Sequence, residues 1–227
     1  MLVSGGVKSV ADQVSDRLRS ELLAGIHAVG EPMREEELAS RFGVSRHPIR
    51  RAIQKLTMEG LLAAKPNCGA VVSSTPTEHI VGLLTPMRKM LELYAIQQAF
   101  PKINSKHRDQ WNEIVKQMAR AGEDQDEQAS LDWDAQFHQL ILVAAELEDL
   151  VPLWFGIFGR MRDFHRKSNA KAKDLRIVAF VHQELLSSLL SGDLARACCD
   201  LGSHIDGTEF YERTKKAWDR KQRAAAK

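Results

Sequence analysis

Four side chains in the second half of the chain have the types and spacing to hold a divalent cation. Asp134 and His138 stand one helical turn apart, so both reach a common point beside their helix. His182 and His204 lie 22 residues apart, a spacing that lets two helices joined by a short turn bring both rings into a bundle interior. Three imidazoles and a carboxylate suit a borderline ion such as Zn²⁺ or Ni²⁺, with positions left for water or a ligand. Spacing alone leaves a second reading open, a set of buried polar groups bonded to one another. A different chemistry is offered in the first half, where Arg46, Arg50, Arg51 and Lys55 populate a short stretch with no acidic residue before Glu59. Arg46 and Arg50, four apart, share a face. Arginine is suited to bidentate bonding with guanine and to neutralising phosphate.

These groups need elements to position them. In the front part, Val14, Leu18, Leu22 and Leu23 mark a helix over 10–24 that ends in a turn at Gly25 and Gly30-Glu31-Pro32. A short helix over 34–42, the pair Gly43-Val44, and a third helix capped by Ser45 and running to Glu59 have helix-turn-helix spacing. Ala39 sits where the helices cross, Gly43 permits the tight turn, and Val44, Ile49 and Ile53 lock the pair. Gly60 to Ala64 and Ala70 to Val72 flank Lys65-Pro66-Asn67-Cys68-Gly69 and read as a β-hairpin wing. A boundary follows at Ser73-Ser74-Thr75-Pro76-Thr77-Glu78, giving domains 1–75 and 76–227. Beyond it the period is helical throughout. Helices are expected over 77–100, bent or split at Pro86, then 105–122, 126–145, 148–167, 173–191 and 193–218. The expected fold is mainly α: an N-terminal winged helix-turn-helix with a small β-hairpin wing, then a C-terminal all-α bundle of about six helices.

The run Met33-Arg34-Glu35-Glu36-Glu37-Leu38-Ala39, with Val44-Ser45-Arg46-His47-Pro48-Ile49-Arg50-Arg51-Ala52-Ile53-Gln54-Lys55-Leu56 and Glu59-Gly60-Leu61, resembles the winged-helix domain of GntR-type bacterial transcription factors. The resemblance implies that Arg34, Arg46 and Arg50 contact bases or phosphate. It also implies that Ser45 and His47 bond phosphate and that Gly69 at the wing tip approaches the minor groove. His47 and Arg51 stand where the family commonly has Thr and Glu, and Cys68 replaces a frequent Arg, so an operator sequence does not carry over. Further on, Trp133-Asp134-Ala135-Gln136-Phe137-His138, His182-Gln183-Glu184-Leu185-Leu186, Leu190 to Ala197 and Ser203-His204-Ile205 resemble the FCD effector domain of the FadR subfamily. That resemblance implies a metal on Asp134, His138, His182 and His204, with a small carboxylate effector completing its coordination. Reading two half-sites one DNA turn apart requires two winged helices, so a homodimer on an imperfect palindrome of double-stranded DNA is expected.

Composition narrows the alternatives. Lys and Arg against Asp and Glu give +2 over 1–75, −5 over 76–211 and +5 over 212–227. A basic tail by itself reads as a solvated helix end. Three cysteines, Cys68 and the adjacent Cys198 and Cys199, suggest no disulfide framework and a reducing, cytoplasmic setting. No apolar run approaches the ~20 residues of a membrane span, and no basic segment leads into an apolar one at the N-terminus, so neither export nor membrane insertion is expected. GxSxG, HExxH, P-loop and GxGxxG runs are absent, which leaves a metal-dependent hydrolase the poorer reading and a regulator with a purely structural metal the other alternative. Trp133, Phe137, Trp154, Phe155 and Phe158 are assigned to packing. Arg88, Arg162 and Arg166 are left out of the site, Arg88 being read as a surface pair with Glu92.

Overall fold

The computed structural model describes residues 9–23, 26–65, 69–74, 78–169 and 174–225, apart from the side chains of 23, 78, 79, 162–169 and 225. The chain divides into two compact units, Met1–Thr75 and Pro76–Lys227.

In the first unit, helix α1 (Val10–Leu23) is followed by a two-residue strand β1 (Pro32–Met33), helices α2 (Glu35–Phe42) and α3 (Arg46–Met58), and strands β2 (Leu62–Lys65) and β3 (Gly69–Val72). The apolar period of α1 places Val14, Leu18 and Leu22 in a core with Leu38, Ile49, Ala52, Ile53 and Leu56. Gly43, at φ 65°, ends α2, its N–H bonding back to the Ala39 and Ser40 carbonyls. Ser45 occupies the N-cap position of α3 in extended conformation, yet its hydroxyl makes no capping bond. β2 and β3 form the antiparallel hairpin, Leu62 opposite Val72 and Lys65 opposite Gly69. β1 adds a third strand on the other edge of β3. An edge suits Pro32, which has no N–H to give a ladder. The loop between β2 and β3, with Cys68, lies outside the described residues.

In the second unit the helices are α4 (Glu78–Ala99), α5 (Ser105–Glu123), α6 (Glu127–Ala144), α7 (Val151–Asn169), α8 (Arg176–Leu189), α9 (Leu194–Asp206) and α10 (Glu209–Ala225), with single 3-10 turns before α5 and α7. Asn104, Asp126 and Asp193 cap α5, α6 and α9, each side chain accepting from the backbone N–H three residues on.

Two expectations are refined here. α4 is not split at Pro86 but continues through it as one helix. Four residues before the proline stands Gly82, whose missing Cβ faces open space. The Gly82 carbonyl that loses its helical donor lies on an exposed face, and the Thr85 hydroxyl takes the Val81 carbonyl at 3.0 Å. The stretch 193–218 is two helices rather than one, because Gly207 at φ 65° closes α9 by donating to the His204 and Ser203 carbonyls.

The bundle core gathers Ala95, Ile96, Trp111, Phe137, Ile141, Trp154, Phe158, Leu185 and Leu201. The Trp111 indole N–H donates to the Phe137 carbonyl at 3.1 Å and ties α5 to α6. Gly122 brings α5 against the start of α8, leaving only 2.9 Å between a would-be Cβ and the Arg176 backbone. Trp154, Phe137 and Phe158 are buried here, and Trp133 and Phe155 pack against them. Among the described residues no helix is long and apolar enough to cross a membrane.

Candidate metal centre and nucleic-acid interface

α6 carries Asp134 and His138 on its inward face, α8 brings His182 and α9 brings His204. One ligand atom of each lies within 4.8 Å of all the others. His138 and His182 are buried, and Asp134 nearly so. The His182 Nε2 atom is 2.8 Å from Asp134 Oδ1, His138 Nε2 is 3.7 Å from the same oxygen, and His138 Nε2 faces His204 Nε2 at 3.2 Å.

The outer nitrogens decide what these inner atoms can do. His182 Nδ1 donates to the Val178 carbonyl at 2.8 Å. His138 Nδ1 sits 2.6 Å from Glu92 Oε2 and donates to that carboxylate. A neutral imidazole that donates from one nitrogen offers only a lone pair at the other. The His182 lone pair and the Asp134 carboxylate therefore oppose each other as acceptors at 2.8 Å, and the His138 lone pair is turned to the same oxygen at 3.7 Å. Only a cation among them, a proton or a metal ion, reconciles that arrangement. The four donor atoms are of the kind that hold Zn²⁺ or Ni²⁺, and their separations suit contraction onto one ion at bond lengths of about 2.0–2.2 Å.

Electrostatics agree with the geometry. Burial works to raise the Asp134 carboxyl, but the hydrogen bond and charge of His182, then His138 and Arg88, hold it well below the usual range. Burial pushes His204 well below the ordinary imidazole value, reinforced by His182 and His138. Burial also lowers His138, against the pull of Glu92.

The Arg88–Glu92 pair, expected at the surface, lies in the core instead, with Arg88 2% and Glu92 0% exposed. Arg88 Nε and Trp154 Nε1 both donate to Glu92 Oε1 at 2.7 Å, and the guanidinium stacks over Phe158. Burial would raise Glu92; the charges of Arg88 and His138 outweigh it and hold the carboxyl down at about 2. Arg162 and Arg166 lie on α7, but their side chains fall outside those described. Cys198 and Cys199 are free thiols, half-buried and exposed.

In the first unit Arg34, Ser45, Arg46, His47 and Arg50 are all exposed, as is Gly69, which opens β3 at φ 75°. α3 buries Ile49, Ala52, Ile53 and Leu56 and turns its arginines to solvent. Each of the three candidate DNA-contacting arginines is ion-paired within its own unit. Arg50 meets Glu35 through two bonds of 2.8 Å, Arg46 meets Glu36 at 2.7 Å and Arg34 meets Glu37 at 2.9 Å. The hydrogen bond of Arg50 lowers the Glu35 carboxyl below its ordinary range. The acids come from α2, which a search along α3 alone does not reveal.

Residues 10–72 match the bacterial regulatory proteins of the gntR family, and residues 84–207 match the FCD domain. The chain is 30% identical over 146 residues, 64% of each protein, to a probable D-xylose utilization operon transcriptional repressor of Paenarthrobacter nicotinovorans. It is 27% identical over 139 residues, 61% of this chain and 60% of the other, to the HTH-type transcriptional repressor RspR of Escherichia coli (strain K12). It thus spans slightly under two thirds of the length of these curated relatives. Among solved structures, E. coli McbR/YncC superposes with a TM-score of 0.69 at 19% identity, covering 91% of this chain and 99% of that one. A putative GntR regulator from Rhodococcus sp. RHA1 gives 0.63 at 19%, covering 89% and 100%. At such identities the likeness establishes the fold. Both families and the named relatives are transcriptional regulators, not enzymes. A winged helix ahead of a helical bundle with one three-histidine, one-aspartate cluster, matched in both halves, makes this chain a member of the GntR family of bacterial regulatory proteins with an FCD domain.

Proposed function

We propose that this chain is a dimeric transcriptional repressor that binds an imperfectly palindromic operator through α3 and its wing and is released by a small organic acid bound in the FCD unit. The observation that carries the reading is the convergence of Asp134, His138, His182 and His204 inside the bundle with their acceptor atoms opposed. These four would hold zinc or nickel. The ion, when bound, supplies exchangeable positions for a carboxylate oxygen. The residues contribute the rest: Val178 and Glu92 orient two rings, the core around Phe137 and Trp154 limits water, and three separate helices supply the ligands. A ligand that draws α6, α8 and α9 together favours one arrangement of the bundle. Its differential affinity for the two arrangements sets how far DNA binding shifts. In the first unit Arg34, Arg46, Arg50, Ser45 and His47 would meet bases and phosphates, with Gly69 at the minor groove.

The test is the affinity of zinc-loaded protein for duplexes that it selects from a random pool, read by fluorescence anisotropy with and without acetate, malate or citrate. A loss of about 5–150-fold with at least one acid is expected. Unchanged affinity across all three, with zinc still bound, would sink the coupling.

The two-fold partner is expected on α4. Ile80, Leu83, Met87, Met90 and Tyr94 recur at alternating spacings of three and four and are 37–72% exposed. That is the seam of a two-helix coiled contact. Their exposed side-chain surface is on the order of 500 Å² per protomer, so a pair of copies buries about 1,000 Å², the threshold of a specific interface. Met90→Glu, at the most exposed of the five, is expected to convert the dimer to monomer in sedimentation equilibrium. A dimer of undiminished affinity in that variant would place the contact elsewhere.

A further inference from the structure

Glu92 is 46 residues from His138 in sequence and belongs to α4, which contributes none of the four candidate ligands. We infer that Glu92 is the positioning residue that makes His138 a metal ligand, by accepting from its Nδ1–H and so fixing the tautomer that leaves Nε2 bare toward Asp134 and His204. The inference rests on the metal-centre reading above and deepens it.

The argument is one of hydrogen-bond supply. Glu92 Oε1 is committed, since the Arg88 Nε–H and the Trp154 indole N–H both donate to it at 2.7 Å. Neither donor can act as an acceptor. Oε2 is therefore the oxygen left for His138, and it lies 2.6 Å from Nδ1. Glu92 and His138 are both wholly buried, so no water competes for that bond. With Nδ1 protonated, the neutral ring carries its lone pair on Nε2, the atom that faces the other ligands at 3.2 and 3.7 Å. A carboxylate behind a ligating histidine also raises the basicity of the ring and holds its plane, and loss of such partners typically costs 10–100-fold in metal affinity. Phe137, at 5.4 Å and steeply inclined, flanks the ring but offers no hydrogen bond, and on the Nε2 side the polar neighbours are farther, His204 at 3.2 Å and Asp134 at 3.7 Å, so the short bond to the carboxylate at 2.6 Å sets the tautomer.

Glu92→Gln gives a directional test. The side-chain carbonyl of glutamine must stay with Arg88 and Trp154, which leaves its NH₂ group facing His138 Nδ1. The ring then accepts at Nδ1, carries its proton on Nε2, and presents a donor where a ligand is needed. The experiment measures histidine ¹⁵N shifts in metal-free full-length protein, wild type and Glu92→Gln, and then titrates both with Co²⁺, following the visible d–d bands and the bound metal. Expected are an Nδ1–H tautomer for His138 in the wild type, an Nε2–H tautomer in the variant, and Co²⁺ affinity lower in the variant by about 10–100-fold. An Nε2–H tautomer in the wild type overturns the proposal, as does equal affinity with the same band pattern in both proteins. Should the variant fail to fold, the wild-type tautomer alone decides. A wild type that shows the Nδ1–H tautomer yet binds no Co²⁺ supports the role of Glu92 in setting the ring and overturns the metal reading instead, so the two fail separately.

Discussion

His182→Ala is expected to purify with little metal, where the unaltered protein, loaded with Zn²⁺ or Ni²⁺ and dialysed, holds close to one ion per protomer by elemental analysis. His182 is the single candidate ligand from α8, and its loss leaves three donors, Asp134, His138 and His204, where the proposed site uses four, which lowers the affinity for the ion. Stability should report the same loss independently. A metal that binds only the folded chain adds about 2.7 kcal/mol at a hundredfold excess over Kd, which in a chain of this size raises Tm by roughly 5–10 °C. The variant should show no such rise. Its metal-free stability should be lower than that of the native chain, because the alanine removes the bond of the ring to the Val178 carbonyl and its packing on Phe137, so the metal-induced rise is compared within each protein. Equal, negligible metal in both proteins after loading would reduce the second unit to a helical domain with an unknown signal.

Arg50→Ala is expected to abolish operator binding in a gel shift. Arg50 is exposed on α3 and already engages a carboxylate through two parallel bonds, the same fork geometry that reads the O6 and N7 edge of guanine. Each such contact is worth about 1–3 kcal/mol of discrimination. A two-fold dimer loses it twice, or roughly 30- to 10⁴-fold in affinity. The fold should be untouched, since the side chain is solvent-exposed and the core-facing residue beside it is Ile49. Undiminished affinity would remove α3 from the interface.

The elements that the sequence makes legible are those whose signals are local. The Ala39 to Gly43 crossing and the hairpin pattern each lie within a few residues. The Asp134 and His138 pair is a same-face relation within one helix. What escaped depended on tertiary burial. Arg88 and Glu92 look like a solvated pair four apart, yet Val81, Leu84, Arg88, Glu92, Ala95 and Ala99 follow one helical stripe, and every one of them is buried. A charged pair standing on the apolar stripe of its helix was the available signal. Gly207 is similar: one glycine after Asp206 divides the last two helices, and it is legible only as a left-handed cap. β1 has two residues and no pattern of its own; it exists because β3 offers an edge. Nothing local in the sequence pairs Glu35 and Glu36 with Arg50 and Arg46; those partners on α3 emerge only once the two helices cross.

That acidic run bears on how the protein searches a genome. With the DNA contacts proposed above, a phosphate would have to displace a carboxylate to reach Arg34, Arg46 or Arg50, exchanging one exposed ion pair for another of similar strength, about 0–1 kcal/mol each. Random DNA, which offers only phosphates, gains little by the exchange. An operator adds guanine edges that the glutamates cannot imitate. The same exchange is needed on every sequence, so the internal carboxylates weaken binding to random DNA without changing the operator's advantage, and in a cell with ~10⁶–10⁹ competing sites weaker binding to random DNA leaves more of the protein free to find its target.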